Sequence, residues 1–401
     1  MLDLTKLAQQ LQGISQHLTA EASAAQLRLK AAQALLATVQ QTPEVWIQQR
    51  QTWRDRLCFT AAEPVEPLHL RPVILAPPPA HTVLATDGSQ IAPSHHEIAY
   101  CYLINVGCII LHYGQNRQPM LESLPEVFYR PEDLYLSRQW GIRTEEWMGY
   151  RRTVSEAIVL AELGQQVATD GRQPTLAMVD GSLIYWFLDQ LPGEARDRIL
   201  HPILAAWEQL RQANIPLVGY LSASRSGESL NFMRLAACPY AVPDCATHCS
   251  DRAIGDMATP QTQAPCQVFE PLKDVTLWAS QLEPGHRSPF WRSSAPILDL
   301  YGEQTIYFCY VHVGTEVARL EMPAWVAENE VLREQALSLT IAQVQKGFGY
   351  PVVLAEAHNQ AVVRGGDRTR FFAFLEQEML RAGLQNVGIS YKEARKRGSI
   401  A

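Results

Sequence analysis

The spacing of apolar residues predicts a long amphipathic helix at the start of the chain, within residues 1 to about 57. Apolar residues recur every three or four positions along one stripe of this helix, at Leu4, Leu7, Leu11, Ile14 and Leu18. We favour a helix that packs on its own domain, and the alternative is a coiled-coil arm for dimerisation. The prolines at positions 77–79 cannot continue a helix, so we predict an N-terminal helical segment with a Pro-rich linker over residues 1–79.

Beyond the linker, short runs of apolar and β-branched residues alternate with helical patterns. The predicted strands are residues 83–86, 98–111, 176–179, 217–221 and 306–313. The predicted helices are residues 150–163, 199–214, 332–344 and 370–382. Such alternation is typical of an α/β fold in which helices cover both faces of a sheet. We therefore predict a second region of the α/β class over residues 80–401.

The composition is that of an ordered globular protein. Of the 401 residues, 47% are hydrophobic and 19% are charged, which is enough apolar material for a large core. The net charge of −7 argues against a protein that coats nucleic acid through a broad basic surface. It leaves a nuclease possible, because a site that chelates cations needs several carboxylates, and the bound metal then faces the phosphate.

The sequence favours a cytoplasmic protein without a membrane span. Its start lacks a basic segment followed by an apolar run and a small-residue cleavage site. The most apolar stretch, residues 100–113, has about 14 residues, which is short of the roughly 20 needed to cross a bilayer.

Two predicted strands are followed by the same three residues, Asp87-Gly88-Ser89 and Asp180-Gly181-Ser182. An Asp at the end of a buried strand stands on a rigid support, and the Gly after it lets the backbone turn away sharply. Two such carboxylates can converge on one cation. Asp-Gly is also a common turn dipeptide, but its repetition after two apolar strands favours a functional site.

Three further residues are weaker candidates from the pattern alone. Glu156 lies on an otherwise apolar helical stripe, where it is either a metal ligand or the ion-pair partner of Arg151 or Arg152. Asp274 starts an amphipathic segment, where an Asp can serve simply as a helix cap. His358 sits among apolar residues, where a histidine is more often a satisfied core side chain than a catalyst.

A Cys-rich insertion is predicted at about residues 236–270. It contains half of the eight cysteines, namely Cys238, Cys245, Cys249 and Cys266. Thiolates this concentrated can bind a structural zinc ion. The spacing is not that of a standard zinc finger, because paired Cys-x-x-Cys knuckles are absent. Free thiols are therefore favoured, with zinc and an iron–sulfur cluster left open, and disulfides are not expected in a reducing cytoplasm.

Taken in order, these segments resemble the NurA family of DNA-repair nucleases, from about residue 80 to residue 395. The resemblance is carried by Ala85-Thr86-Asp87-Gly88-Ser89, the helix with Glu156, Val179-Asp180-Gly181-Ser182-Leu183, residues 217–221 followed by Ser222-Ala223-Ser224-Arg225-Ser226, Asp274 with Gly285-His286-Arg287-Ser288, and Gly349-Tyr350-Pro351 leading to Ala357-His358. No single segment is specific to the family, but the order and spacing of all the segments together are. The resemblance to the family does not account for the Cys-rich insertion.

The resemblance implies an RNase H-like core with a mixed central sheet flanked by helices. It also implies a deoxyribonuclease that uses Mn²⁺ or Mg²⁺, acting as a 5′–3′ exonuclease and single-strand endonuclease in DNA end resection and double-strand break repair. Asp87, Glu156, Asp180 and Asp274 would bind the metal, and His358 would be a catalytic histidine near the scissile phosphate. The implied partners are DNA, a HerA-type hexameric ATPase and a second copy of the chain in a homodimer.

Two other functions stay open at this point. A non-catalytic DNA-binding or adaptor subunit for a HerA-type ATPase would keep the fold and bind DNA without hydrolysis. The gathered acids argue against it, because they repel phosphate unless a metal is present. A different RNase H-like enzyme, such as an RNA-cleaving nuclease or a resolvase, would use the same metal chemistry on another phosphodiester.

Overall fold

The computed structural model describes residues 4–94, 97, 99–170, 173–249 and 264–384. Its helices are α1 (Leu4–Gln41), α2 (Pro43–Trp53), α3 (Pro131–Tyr135), α4 (Thr144–Asp170), α5 (Gly193–Gln212), α6 (Glu228–Ala237), α7 (Cys245–His248), α8 (Asp274–Ala279), α9 (Ala324–Ala327), α10 (Glu330–Lys346), α11 (Val352–Ala361) and α12 (Gly365–Arg381). Its strands are β1 (Glu63–Pro64), β2 (His81–Ile91), β3 (Tyr102–Tyr113), β4 (Met120–Phe128), β5 (Thr175–Asp180), β6 (Leu217–Leu221), β7 (Trp291–Arg292), β8 (Ile306–His312) and β9 (Val317–Pro323). Short 3₁₀ helices cover Arg54–Arg56, Leu136–Trp140, Trp186–Gln190 and Pro296–Leu300.

The first of two compact units combines Met1–Ile74 with Tyr220–Ala324. Its strands pair in the order β1, β7, β8, β9, each antiparallel to the next. Leu36 of α1 and Trp278 of α8 belong to the same hydrophobic core. The N-terminal helical segment therefore shares its core with residues 220–324, whereas the sequence predicts a boundary after residue 79.

The apolar stripe at the start of α1 is exposed to solvent. Leu4, Leu11 and Leu18 are 68%, 50% and 59% exposed, whereas Ala32 and Leu36, further along the helix, are buried. The favoured prediction of a helix that packs on its own domain is therefore confirmed for the later part of α1 and wrong for the stripe at residues 4–18. The coiled-coil arm stays a prediction.

The second unit combines Leu75–Gly219 with Trp325–Ala401. Its strands β5, β2, β3 and β4 are neighbours in that order. β2 runs parallel to β5 and antiparallel to β3, and β3 runs antiparallel to β4. The helices α4 and α11 pack on β2 and β3, and α4 also packs on α5. The predicted α/β class, with a mixed sheet flanked by helices, is confirmed.

Most predicted elements coincide with observed ones, and the differences have physical reasons. The prediction for residues 217–221 matches β6 at both ends, and the other predicted strands and helices overlap β2, β3, β5, β8, α4, α5, α10 and α12. The pattern does not predict β4, because this strand lies at the edge of the sheet, is mostly exposed and contains Pro125. None of the helices that the structure describes is long and apolar enough to cross a membrane.

Candidate active site

Asp87 lies inside a long strand and not at a strand end. β2 continues through the first Asp-Gly-Ser motif to Ile91, and Asp87 is paired with Gly107 of β3. The prediction that this motif ends its strand is therefore wrong, because pairing with β3 carries the strand beyond it. One oxygen of the Asp87 carboxylate accepts a hydrogen bond of 2.8 Å from the backbone N–H of Gly88.

The second Asp-Gly-Ser motif does end its strand, as predicted. β5 finishes at Asp180, and Gly181 has a φ of 122°, a backbone conformation that favours glycine. The parallel pairing of β2 with β5 sets Ala85 opposite Met178. Asp87 and Asp180 each lie two residues further along, so the two strands bring both carboxylates to the same level of the sheet.

Glu156 is supplied by α4, which packs against β2. The Thr86 hydroxyl donates a hydrogen bond of 2.9 Å to the backbone carbonyl of Glu156, which joins this turn of the helix to the strand. Glu156 Oε1 lies 3.4 Å from Arg152 Nε, and the Glu156 side chain is 22% exposed. The ion pair that the sequence offers as an alternative to metal binding is thus present, with Arg152 as the partner.

Burial and neighbouring acids raise the pKa of both Glu156 and Asp180. The pKa of Glu156 is raised to about 7, chiefly by burial and also by Asp87 and Asp180, while Arg152 and the Gly88 backbone N–H lower it. Burial and Asp87 also raise the pKa of Asp180, while a hydrogen bond from Tyr350 lowers it. The surroundings of both acids therefore disfavour their ionised forms in the absence of a further cation.

Tyr350 is a site residue that the sequence does not single out. It lies two residues before the start of α11 and contacts Asp180 through the hydrogen bond that lowers the pKa of this acid. The signal that could have found it is its position in Gly349-Tyr350-Pro351, one of the pieces that carries the family resemblance.

His358 is held against Asp87 by α11. Its Nδ1 lies 2.8 Å from Asp87 Oδ2, and 65% of the His358 side chain is exposed. The interpretation of His358 as a core histidine is therefore wrong. The helix approaches the sheet closely because β3 has a glycine at the crossing: a Cβ at Gly107 would stand 2.5 Å from the Ala357 carbonyl oxygen. Asn105 adds a hydrogen bond of 2.8 Å to the Ala361 carbonyl.

Three of the acids converge on one cavity of about 210 Å³. Asp87, Glu156 and Asp180 line it together with Arg152, Ser182 and Tyr185. The structure thus brings together three of the four acids that the sequence selects, and His358 contacts one of them.

Asp274 belongs to the other compact unit, and its surroundings are those of a structural carboxylate. The residue is fully buried. Its two oxygens accept hydrogen bonds of 2.9 Å from the backbone N–H groups of Ser229 and Leu230, in the first turn of α6. The Tyr310 hydroxyl donates a third, of 2.7 Å. These contacts match the helix-cap interpretation of Asp274, with α6 as the capped helix. The residues that line the cavity do not include Asp274.

The chemistry of the donor set suits a hard divalent cation. Carboxylate oxygens are the ligands that Mg²⁺ and Mn²⁺ prefer, and a cation would stabilise the ionised form of Glu156, whose pKa is raised by burial and by the neighbouring acids. In the described part of the chain, no three His, Cys, Asp or Glu side chains are already grouped so as to hold an ion. Binding would therefore require the carboxylates to turn toward a common point.

We expect the replacement of Glu156 by glutamine to stabilise the metal-free protein at alkaline pH. Folding raises the pKa of the Glu156 carboxyl from its ordinary value of 4.5 to about 7, so ionisation of this group penalises the folded state as the pH rises through this window. At pH 8, in the presence of a chelator, the variant should gain on the order of 2 kcal/mol in free energy of unfolding. At pH 4 the gain should vanish, because Glu156 is then protonated in both states.

The measurement is denaturant unfolding of wild type and variant at both pH values. Glu162 lies on the same helix and is exposed, so Glu162→Gln is the matched control and should change stability little at either pH. A gain for Glu156→Gln that is equal at both pH values would contradict the raised pKa.

Comparison with known proteins gives one family. The family model described as the NurA domain matches residues 81–363, which is more than half of the chain. Among solved structures, the crystal structure of the NurA nuclease from Sulfolobus solfataricus is similar at 12% sequence identity with a TM-score of 0.46, covering 79% of this chain and 89% of that chain. No curated protein matches the sequence.

Proposed function

We propose, given that this chain belongs to the NurA family, that it is a divalent-metal-dependent deoxyribonuclease whose active site is the cavity lined by Asp87, Glu156 and Asp180. The observation that carries the proposal is the convergence of these three acids on one cavity, where Arg152 is paired with Glu156. A cavity of this kind repels a phosphodiester by itself and attracts it once a metal is bound. We also propose that the core of this chain is RNase H-like, as the resemblance implies.

When bound, Mn²⁺ or Mg²⁺ would lower the pKa of an attacking water and stabilise charge on the phosphate oxygens. Asp87, Glu156 and Asp180 would hold it. The chain's other groups position these ligands: Tyr350 orients Asp180 through its hydrogen bond, and Gly88 N–H orients Asp87.

His358 has a separate role in the proposal. Asp87 holds Nδ1 of its ring, which fixes the orientation of the imidazole. The other ring nitrogen, Nε2, can then give a proton to a leaving oxygen or take one from a water. The large exposed fraction of the His358 side chain is compatible with contact to a DNA strand.

The wider role follows the resemblance. We propose that the enzyme acts as a 5′–3′ exonuclease and a single-strand endonuclease in DNA end resection, as a cytoplasmic homodimer with a HerA-type ATPase as partner. Asp274 is left out of the proposed ligand set, because its oxygens already accept hydrogen bonds from protein groups.

The test is digestion of single- and double-stranded DNA, labelled at either the 5′ or the 3′ end, with Mn²⁺, Mg²⁺ or a chelator. We expect cleavage with Mn²⁺ and none with the chelator, and the two labels report polarity. Retention of DNA in a gel shift without cleavage under any metal would instead favour the non-catalytic adaptor. Preferential cleavage of a matched RNA strand would favour the RNA-cleaving alternative.

A further inference from the structure

The cysteines of the insertion gather around one point of the first compact unit. Cys238, Cys245, Cys249 and Cys266 all line a single cavity of about 20 Å³. The pair Cys249 and Cys266 is buried, although these residues are separated in sequence by a segment outside the described residues. The fold thus brings the four cysteines of this one insertion to the wall of the same cavity.

Two of the four residues are spaced as chelating ligands. Cys245 begins the single turn α7, and Cys249 follows four residues later, with its N–H bonded to the Cys245 carbonyl at 3.0 Å. Residues four apart across one helical turn are neighbours in space, so the turn keeps Cys245 and Cys249 close together. The Asp244 carboxylate caps this turn through a hydrogen bond of 3.0 Å from the Thr247 N–H.

The described residues of the insertion form little apolar core of their own. Its buried cluster consists of Cys249, Ala264 and Cys266, with Ala237 and Tyr240 packed against them. Burying so small an apolar area provides little free energy to order a chain segment, and short segments of this kind are usually fixed by a disulfide or a metal. The cysteines are free thiols in this structure.

A buried cation stands beside the thiols. Arg234 is 3% exposed, and its Nη2 lies 3.5 Å from Cys266 Sγ. Its Nη1 binds Glu270 at 2.9 Å, while its Nε has no hydrogen-bond partner among the described residues. A guanidinium in this position stabilises negative charge on sulfur, as in the outer shell of metal–thiolate centres.

We propose that Cys238, Cys245, Cys249 and Cys266 form a closed structural site for one Zn²⁺ ion. Four thiolates at about 2.3 Å are a complete tetrahedral set for zinc, with no position left for a substrate. The cavity has room for about one water-sized sphere, which suits a single ion. The sulfurs are not yet grouped around a common point, so zinc binding turns them inward from the cavity wall.

The first test is the metal content of the full-length protein purified under reducing conditions without chelator. We expect one equivalent of zinc per chain, released when the thiols are modified by a mercurial. Replacement by Co²⁺ should give the intense thiolate-to-metal charge-transfer absorption of a tetrahedral sulfur site. This spectrum reports the ligands of the wild-type protein, so the test does not depend on the folding of any variant.

Variants then identify the ligands. Cys249→Ser should lose the stoichiometric zinc, whereas Cys101→Ser should keep it. Cys101 is the control, because it belongs to the second compact unit and does not line the cavity. Asp180→Asn should also keep the zinc, which separates this site from the proposed nuclease site. Absence of zinc after purification and after reconstitution, or disulfides in a thiol count, would overturn the proposal and leave the nuclease proposal untouched.

Discussion

Replacement of Asp180 by asparagine is expected to abolish DNA cleavage while the protein stays folded. The substitution keeps the size of the side chain and its ability to accept a hydrogen bond from Tyr350, and it removes the negative charge that a cation requires. We expect the Mn²⁺-dependent rate to fall by about 10³-fold or more, since a lost metal ligand removes the metal's contribution to the transition state.

The free energy of unfolding of this variant should not fall along with its cleavage rate. Burial and Asp87 raise the pKa of Asp180, so its ionised form is unfavourable in the folded protein without metal. Asp180→Asn should therefore keep or raise the free energy of unfolding at pH 8 in chelator. Loss of activity with retained stability is the signature of a ligand, as opposed to a residue that holds the fold.

The matched control is Asp189→Asn, an exposed Asp in the 3₁₀ helix that follows β5. It should cleave end-labelled DNA at the wild-type rate. If Asp180→Asn cleaves at a similar rate to this control, the proposed site is wrong, whatever the family membership of the chain.

The sequence was sufficient to find the two Asp residues because a local pattern encodes them. An apolar strand followed by Asp-Gly-Ser predicts where a carboxylate will stand, and the parallel register of β2 with β5 then brings Asp87 beside Asp180. The local pattern does not predict that β2 continues through the first Asp-Gly-Ser motif. That outcome depends on pairing with β3, which is a long-range contact.

The local sequence pattern does not predict α11 or the side chains that it brings to the site. This helix has ten residues, too few for a clear helical period. His358 reaches Asp87 because Gly107, in a distant strand, admits the helix backbone. A solvent-exposed histidine held by a carboxylate and a histidine in a hydrophobic core have similar neighbours in sequence, so only the tertiary contact separates the two interpretations.

Replacement of Asp274 by alanine is expected to destabilise the protein strongly. The change leaves the N–H groups of Ser229 and Leu230 and the Tyr310 hydroxyl without their acceptor in a fully buried position. It also removes a negative charge that interacts with buried Arg319. Each buried group left unsatisfied costs about 1–3 kcal/mol, so we expect a loss of at least about 3 kcal/mol in the free energy of unfolding.

The decisive measurement pairs denaturant unfolding with DNA cleavage by the folded fraction at low temperature. Asp299→Ala serves as the control, because Asp299 lies in the same compact unit and its side chain is 76% exposed. We expect Asp274→Ala to lose stability and to retain most of the cleavage rate per folded molecule. Wild-type stability together with complete loss of cleavage would instead make Asp274 a metal ligand, as the family resemblance implies. Asp180 and Asp274 therefore give opposite combinations of stability and activity, although the sequence presents both as acids beside apolar segments.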